Sequence, residues 1–557
     1  MISTPSATTR RPRPLPAILL ALFLLQVPAI SAAQEAKAKT EPPPTGPYRI
    51  AGTVVNAKSG SALARVRVQI MDASNLQSVR SLVTGNDGRF EFSVRAGKFA
   101  LQGAKRGFIT SSYNQHEQFS TAIVTGADLD TEHLVLRLPP VAVLAGTVVD
   151  EAQEPVREAS VRIYREDRSS GAARILPVAN ATTDDQGAYE ATPLDEGTYF
   201  VAVRANPWYA IHPVTGRGPA SIDPSLDVAY PVTYYGDTTD ADEATPIPVR
   251  GGDHLEADIH LVPVPSLHLI FHAPEAEAVQ APSLQEPTFD GVEQITGLSA
   301  QKISPGLYEV NGIAAGKYLV RMPDFNLGFK GPAEMDLTNG QELDAAARSV
   351  SKVKATVHVR GAANLPEDLH VALRNSQGRS VAWELVNPQG EVEFPDAAPG
   401  AYEVLVGTST KAYAVVGIAS GDSETRGHTL TVPEDASLTV SLSLVEGKVT
   451  VEGLAKRAGK PASGAMIVLV PKDPEANQEL FRRDQSDLDG SFTLHSVVPG
   501  SYTLIAIDDG WDLDWANLAV LAPYLKHGQA IKVEDQTRGS LQVHDAVEVQ
   551  KKLGETK

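Results

Sequence analysis

Short runs in which apolar and polar residues alternate recur along this chain from residue 48 onward, and glycines punctuate them at a regular distance. Phe90 and Phe92 point one way and Glu91 and Ser93 the other, the period-two pattern of a half-buried strand. The flanking signature occurs five times. Asn86-Asp87-Gly88 leads to Ala96-Gly97-Lys98-Phe99, and Asp185-Gln186-Gly187 leads to Glu196-Gly197-Thr198-Tyr199. Pro305-Gly306 leads to Ala315-Gly316-Lys317-Tyr318, Gln389-Gly390 to Pro399-Gly400-Ala401-Tyr402, and Asp489-Gly490 to Pro499-Gly500-Ser501-Tyr502. The paired glycines lie ten residues apart in four copies and nine in the first. The first glycine supplies turn chemistry, the second closes the next tight turn, and the intervening strand pairs back as a hairpin. Tyr199, Tyr318, Tyr402 and Tyr502 are expected to cover one end of each core, with the hydroxyl reaching a rim partner.

The second glycines stand at 97, 197, 316, 400 and 500, so each copy spans about 100 residues, enough for about seven strands. Convincing amphipathic helix patterns are nearly absent. The expected fold is all-β, a tandem array of about five Ig-like β-sandwich domains at residues 48–140, 141–265, 266–348, 349–446 and 447–557. Each block can bury its own two-sheet core, which predicts independent beads along a rod.

Ala51-Gly52-Thr53-Val54-Val55 is repeated as Ala145-Gly146-Thr147-Val148-Val149. Together with the second strand running from Pro155-Val156 to Val161, the Asp-x-x-Gly turn and the Pro-Gly-x-Tyr hairpin, these openings resemble carboxypeptidase regulatory-like domains. The resemblance covers most of the chain beyond the amino terminus and is clearest in copies one, two and five. It implies transthyretin/prealbumin-like sandwiches, also grouped with a carbohydrate-binding-like fold, and non-catalytic modules of exported bacterial proteins. Copies three and four lack the Gly-x-Val opening, and Pro305 replaces the acidic turn residue of copy three.

The amino terminus changes the picture. Arg10, Arg11 and Arg13 precede Ala17 to Val27, an uncharged apolar stretch, and Ser31-Ala32-Ala33 follows. This is the layout of a secretory signal peptide, residues 1–33, cleaved after Ala33. Eleven apolar residues fall short of the ~20 that cross a bilayer. Residues 34–47 form a Pro-rich linker ending in Pro42-Pro43-Pro44. The mature chain is thus expected to be periplasmic or extracellular, without a transmembrane segment. A net charge of −19 argues against nucleic-acid partners. The absence of cysteine excludes disulfides, thiolate metal sites and cysteine nucleophiles.

Motifs that carry chemistry are weak. His272-Ala273-Pro274-Glu275 has the letters of a zinc peptidase pair but no α/β domain around it. His254, Glu256, Asp258 and His260 share one face of a strand whose other face is Leu255, Ala257, Ile259 and Leu261, an ordinary half-buried strand. Asp487-Leu488-Asp489-Gly490 begins like a calcium loop, but Val498 stands where the closing glutamate belongs. Self-sealing isopeptide bonds are not expected, since the strands after Tyr199, Tyr318 and Tyr502 offer no matching glutamate. No catalytic residue, metal or cofactor is assigned.

Two segments suggest ligand binding. One is the long loop 204–250 of the second copy, with Trp208, Tyr209, Tyr230, Tyr234 and Tyr235. The other holds Trp511, Asp512, Asp514 and Trp515 after the last hairpin. Rings that stack on sugar faces beside hydroxyl-binding carboxylates suit a carbohydrate. The competing expectation is that the rings plug domain interfaces. The sequence therefore reads as an exported, non-enzymatic protein that binds carbohydrate or another envelope polymer, with a structural spacer or protein–protein scaffold as the alternative. An unrecognised hydrolase is a third reading, which would need one carboxylate or histidine to carry the activity.

Overall fold

The computed structural model describes residues 46–553, apart from residues 74, 127–128, 216–222, 274–278, 325–327, 330–332, 339–341, 344–350, 362–363, 376–379, 398, 410, 421–422, 426–427, 434–435 and 476. The expected signal peptide, residues 1–33, and most of the linker lie outside the described residues. Among the described residues no helix is long and apolar enough to cross a membrane.

Alternation translates directly into sheets. In the first copy Tyr48–Asn56 pairs antiparallel with Arg89–Val94 and parallel with Leu134–Leu138. Arg67–Asp72 pairs with Asn75–Val83 and Lys98–Ala104 in a second sheet. Ile50, Phe90, Phe92 and Leu136 from the first sheet meet Val68, Ile70, Phe99 and Leu101 from the second in one buried core. The same arrangement recurs. An opening strand lies between the hairpin strand that follows the turn glycine and a parallel closing strand at Ala142–Val149, Leu267–His272, Ser351–Val359 and Val449–Arg457. Four further core clusters are built around these strands. The fold is thus a multidomain all-β array of sandwiches. In the fifth, Gly500–Asp508 also pairs parallel with Val547–Lys551, which joins its two sheets. The single α-helix among the described residues, Leu518–Leu525, is capped by the Asn517 side chain, which accepts from the Ala519 N–H.

Two glycine positions explain the motif. The first hairpin glycine takes left-handed φ in all five copies: +71°, +71°, +76°, +81° and +79° at Gly88, Gly187, Gly306, Gly390 and Gly490. Its carbonyl accepts from the opening strand, as in Gly88 to Val54 N at 2.9 Å and Gly187 to Val148 N at 2.8 Å. The opening glycine is needed for closeness instead. A Cβ on Gly52 would sit 2.1 Å from the Leu134 carbonyl oxygen, and one on Gly146 2.2 Å from that of Ala257. The tyrosine of the second hairpin strand is buried in copies two to five. Its hydroxyl donates to the carbonyl four residues upstream at Tyr199 (Asp195, 2.9 Å), Tyr318 (Ala314, 2.8 Å) and Tyr502 (Val498, 2.7 Å). This ties the turn to the core as a tyrosine corner does.

The sandwiches are not independent beads. Residues 45–557 form one compact unit, and the first sandwich packs against the fifth, the two ends of the array in sequence. A string of beads joins only sequence neighbours, so the rod expectation fails at this contact.

Gly88→Ala and Gly60→Ala share a φ of +71° in one sandwich, but a Cβ at Gly88 would meet the Val54 oxygen at 2.7 Å, whereas Gly60 faces open space. Both substitutions are expected to cost the backbone penalty of about 1–2 kcal/mol, and Gly88→Ala distinctly more. Urea unfolding midpoints of the two variants check this; equal losses would count against it.

Candidate functional site

The segment after the last hairpin leaves the fifth sandwich and enters a three-way junction. Trp511 stacks on His116 of the first sandwich, with centroids 4.9 Å apart and planes 5° from parallel, and packs against Phe119 at 5.7 Å. Beneath these rings lies Arg483, its side chain only 3% exposed. Its guanidinium sits 4.4 Å from the Trp515 ring centroid, 5.2 Å from Phe119 and 5.5 Å from Trp511. It donates to both carboxylate oxygens of Glu117, at 3.1 Å to Oε1. Glu117 and Asn114 hold left-handed φ angles of +51° and +48°, so the loop that delivers the carboxylate is itself strained. Around this cage Gln485 donates to Asn114 O (2.6 Å) and Thr121 Oγ1 (2.8 Å), and Lys98 pairs with Asp487 at 2.8 Å. Asp487 also accepts from the Ala122 N–H at 2.9 Å and belongs to a reverse turn in which Gly490 N donates to its carbonyl. The calcium-like letters are thus a turn and an interface. Burial pushes the Asp487 carboxyl up, with Lys98 opposing the shift in part.

The same segment reaches the second sandwich. Trp515 Nε1 donates to Arg168 O at 3.0 Å, Ala516 N donates to Gly171 O at 2.9 Å, and Arg168 pairs with Asp514 and Glu166. Trp511, Trp515 and Asp514 are therefore engaged by protein groups and do not form an open sugar platform. Their rings carry too much apolar area to stay wet when two other sandwiches are within reach. Asp512 lies outside this junction, exposed and paired with Lys552 at 2.6 Å.

The aromatics of the 204–250 loop divide in two. Tyr234 is buried against Phe289 of the third sandwich, with Tyr164 and Phe200 on the same ring. Arg162 pairs with Glu293 at 3.1 Å and Arg204 with Glu286 at 2.7 Å across that junction. Tyr235 is half-buried against the core of its own sandwich, its N–H donating to Val201 O. As ligand platforms Tyr234 and Tyr235 are therefore corrected, since neither presents an open ring face. Tyr230 is also buried, and its hydroxyl shares the Glu151 carboxylate with that of Tyr209, at 3.0 Å from Oε2. Burial, with help from Glu151, pushes the Tyr209 hydroxyl up to about 12. Trp208 stands edge-on to Tyr209, 5.9 Å and 88°, and is 82% exposed. Of the candidate rings it alone is well exposed.

Polar strands behave as their alternation predicts. Ala257, Ile259 and Leu261 are fully buried, while His254, Glu256 and Asp258 are exposed. His260 pairs with Asp237, and Asp258 accepts from Thr147. Pro274 and Glu275 lie outside the described residues.

Two clusters were not visible in the sequence. Between the second and third sandwiches, His268 bridges Asp227 (Nε2 to Oδ2, 2.6 Å) and Glu309 through its two nitrogens. Asp227 also holds His212 at 2.9 Å, and Glu309 accepts from Thr215 N at 2.8 Å. Burial alone would lower the His268 pKa, but the two carboxylate partners outweigh it and hold it above the ordinary imidazole value. Between the fourth and fifth sandwiches, Glu403, His428 and Glu479 bring one ligand atom each within 4.8 Å of one another. Their separations in sequence carry no metal-binding spacing.

Residues 143–223 match the carboxypeptidase regulatory-like domain family, so the expected resemblance is found in the second sandwich. No curated protein sequence matches the chain. Among solved structures, the Bacillus anthracis TIE protein is similar at 9% identity, with 92% of this chain and 76% of that chain covered and a TM-score of 0.17. The streptococcal ancillary pilin is similar at 11% identity, covering 50% of this chain and 98% of its own, with a TM-score of 0.20. The minor pilin of Streptococcus agalactiae is similar at 12% identity, covering 42% and 100%, also at 0.20.

Trp515→Ala is expected to destabilise the chain by about 3–5 kcal/mol and to open the loop around Glu117 to proteolysis. Trp208→Ala should stay within about 0.5 kcal/mol of the parent. Calorimetry with timed chymotrypsin digestion, which can cut at Tyr113 and Phe119 beside Glu117, separates the two. The His268 bridge should stabilise fully below the ordinary imidazole pKa and be lost as pH rises through its raised folded value. His268→Gln should therefore flatten the alkaline-side fall in urea-unfolding free energy between pH 6 and 9; an unchanged slope would rule the bridge out as its source.

Proposed function

We propose that the protein is an exported, non-enzymatic scaffold of the cell envelope, which holds its sandwiches in fixed contact so that their outer surfaces meet protein partners. The observation that carries this reading is the use of Arg483, Glu117, Trp511, Trp515, Arg168 and Asp514 to join three sandwiches. These are the residue types a ligand site would use, and here they supply cohesion. Export rests on the charged-apolar-small order of residues 10–33. Crosslinking in the native envelope should recover the chain, processed near Ala33, with a defined protein partner. Recovery in the cytoplasm with its first residues intact would overturn it.

Trp208 favours a second reading, in which the second sandwich binds carbohydrate or another envelope polymer. An exposed indole beside Tyr209, with Glu151 held by two tyrosine hydroxyls, offers a stacking face and a hydroxyl acceptor. Trp208→Ala should then abolish polysaccharide pull-down while melting stays unchanged. If a broad glycan array shows no saturable binding to the intact protein, this ligand class is dropped.

A further inference from the structure

The junction between the fourth and fifth sandwiches contains an unsatisfied imidazole nitrogen. His428 precedes the strand Thr429–Val432, and its residue is 7% exposed. Its Nε2 lies 3.1 Å from Glu403 Oε1. Glu403 stands on the neighbouring strand Gly400–Gly407, opposite Thr429, and its other oxygen accepts from Arg374 Nε at 2.6 Å. Those contacts place the ring proton on Nε2, donated to Glu403, and leave the Nδ1 lone pair turned toward the fifth sandwich. Nδ1 is buried with no hydrogen-bond partner. Facing it at 3.9 Å is Glu479 Oε1, on the short turn Gln478–Leu480 of the fifth sandwich, and Glu479 Oε2 is also buried and unpartnered.

A gap of 3.9 Å is too wide for a hydrogen bond. Nitrogen and oxygen ligands at about 2.0–2.2 Å around a tetrahedral metal lie roughly 3.3–3.5 Å apart, so a movement of about half an ångström by the Glu479 side chain would seat an ion. The positive neighbours are already engaged. Arg374 is bound to Glu403, and Arg482 donates to the carbonyls of Glu479, Phe481 and Ser496. An imidazole nitrogen with a carboxylate is a donor set that suits zinc over calcium or magnesium, which prefer all-oxygen shells.

We propose that His428 Nδ1 and the Glu479 carboxylate hold a divalent transition-metal ion of the zinc class, with water completing its shell, and that the ion fastens the fourth sandwich to the fifth. Glu403 acts from behind the ring as the carboxylate that fixes its tautomer, and Arg374 fixes Glu403. The site is independent of the scaffold reading, because it concerns one internal junction and no external partner.

The test uses the full mature chain, stripped with chelator and titrated with zinc chloride by calorimetry, with calcium chloride in parallel. One zinc ion per chain is expected to bind and to raise the melting temperature, with no comparable calcium event. His428→Ala and Glu479→Gln should each remove that event, and Glu403→Gln should weaken it about 10–100-fold. Glu479 lies on a turn, so Glu479→Gln keeps the test decisive if His428→Ala fails to fold. Absence of zinc binding, a zinc event that survives Glu479→Gln, or preferential calcium binding would each overturn the assignment.

Discussion

The burial of Arg483 is the constraint on which the arrangement of the sandwiches depends. A guanidinium cannot be deprotonated, and taking it out of water costs several kcal/mol unless charge and geometry compensate. Here compensation comes from Glu117 in the first sandwich and from three aromatic faces, Phe119 from the first and Trp511 and Trp515 from the fifth. None of these groups satisfies the arginine alone. The cage is complete only when the first and fifth sandwiches touch, and Trp515 is correctly placed only when its indole N–H also meets Arg168 of the second. A buried ion of this kind adds less net stability than an apolar plug of the same volume would. It penalises wrong dockings heavily, because any partial assembly leaves a charge stranded.

The junctions share this logic in graded form. Between the second and third sandwiches an aromatic contact is combined with a partly buried polar network, Phe289 with Glu293 and Arg162. The cores within sandwiches are almost wholly apolar and tolerant of small volume changes. The junctions rely on directional groups and are specific where the cores are merely cohesive. The family match spans residues 143–223, within a single sandwich, and Arg162, Arg168 and Arg204 of that stretch reach into its neighbours.

How much of this could be read in the sequence follows from the range of each interaction. The hairpins were legible because their causes are local: a left-handed turn at Gly88 or Gly187 and a tyrosine that bonds four residues back, at Tyr199 or Tyr502, leave a signature within a dozen letters. Even the opening glycine was visible as a repeated letter, although its reason, the carbonyl of a strand some eighty residues later in the first copy, was not. The Arg483–Glu117 pair spans 366 positions, and nothing near either residue marks it. The segment from Trp511 to Trp515 was conspicuous but ambiguous. Rings flanked by carboxylates meet the needs of a sugar and of a neighbouring domain equally well, and the difference lies in what else the fold brings within reach. Of the candidates, Trp208 keeps its face in solvent because, among the described residues, no other sandwich covers it.

Titratable groups are unevenly distributed over the junctions, and this sets an order of mechanical dependence. The contact between the first and fifth sandwiches is sealed by an arginine, whose charge is constant over any physiological pH. The contact between the second and third runs through His268 between two carboxylates, and that between the fourth and fifth through His428. A rise in pH therefore weakens the joint through His268 that attaches the third sandwich, while the arginine at the centre of the cage keeps its charge. The two copies whose sequences depart most from the repeat are thus the ones whose attachment depends on histidine. Divergence of their turns thus goes with joints built on imidazole and carboxylate contacts, where the cage that unites the other three relies on a guanidinium.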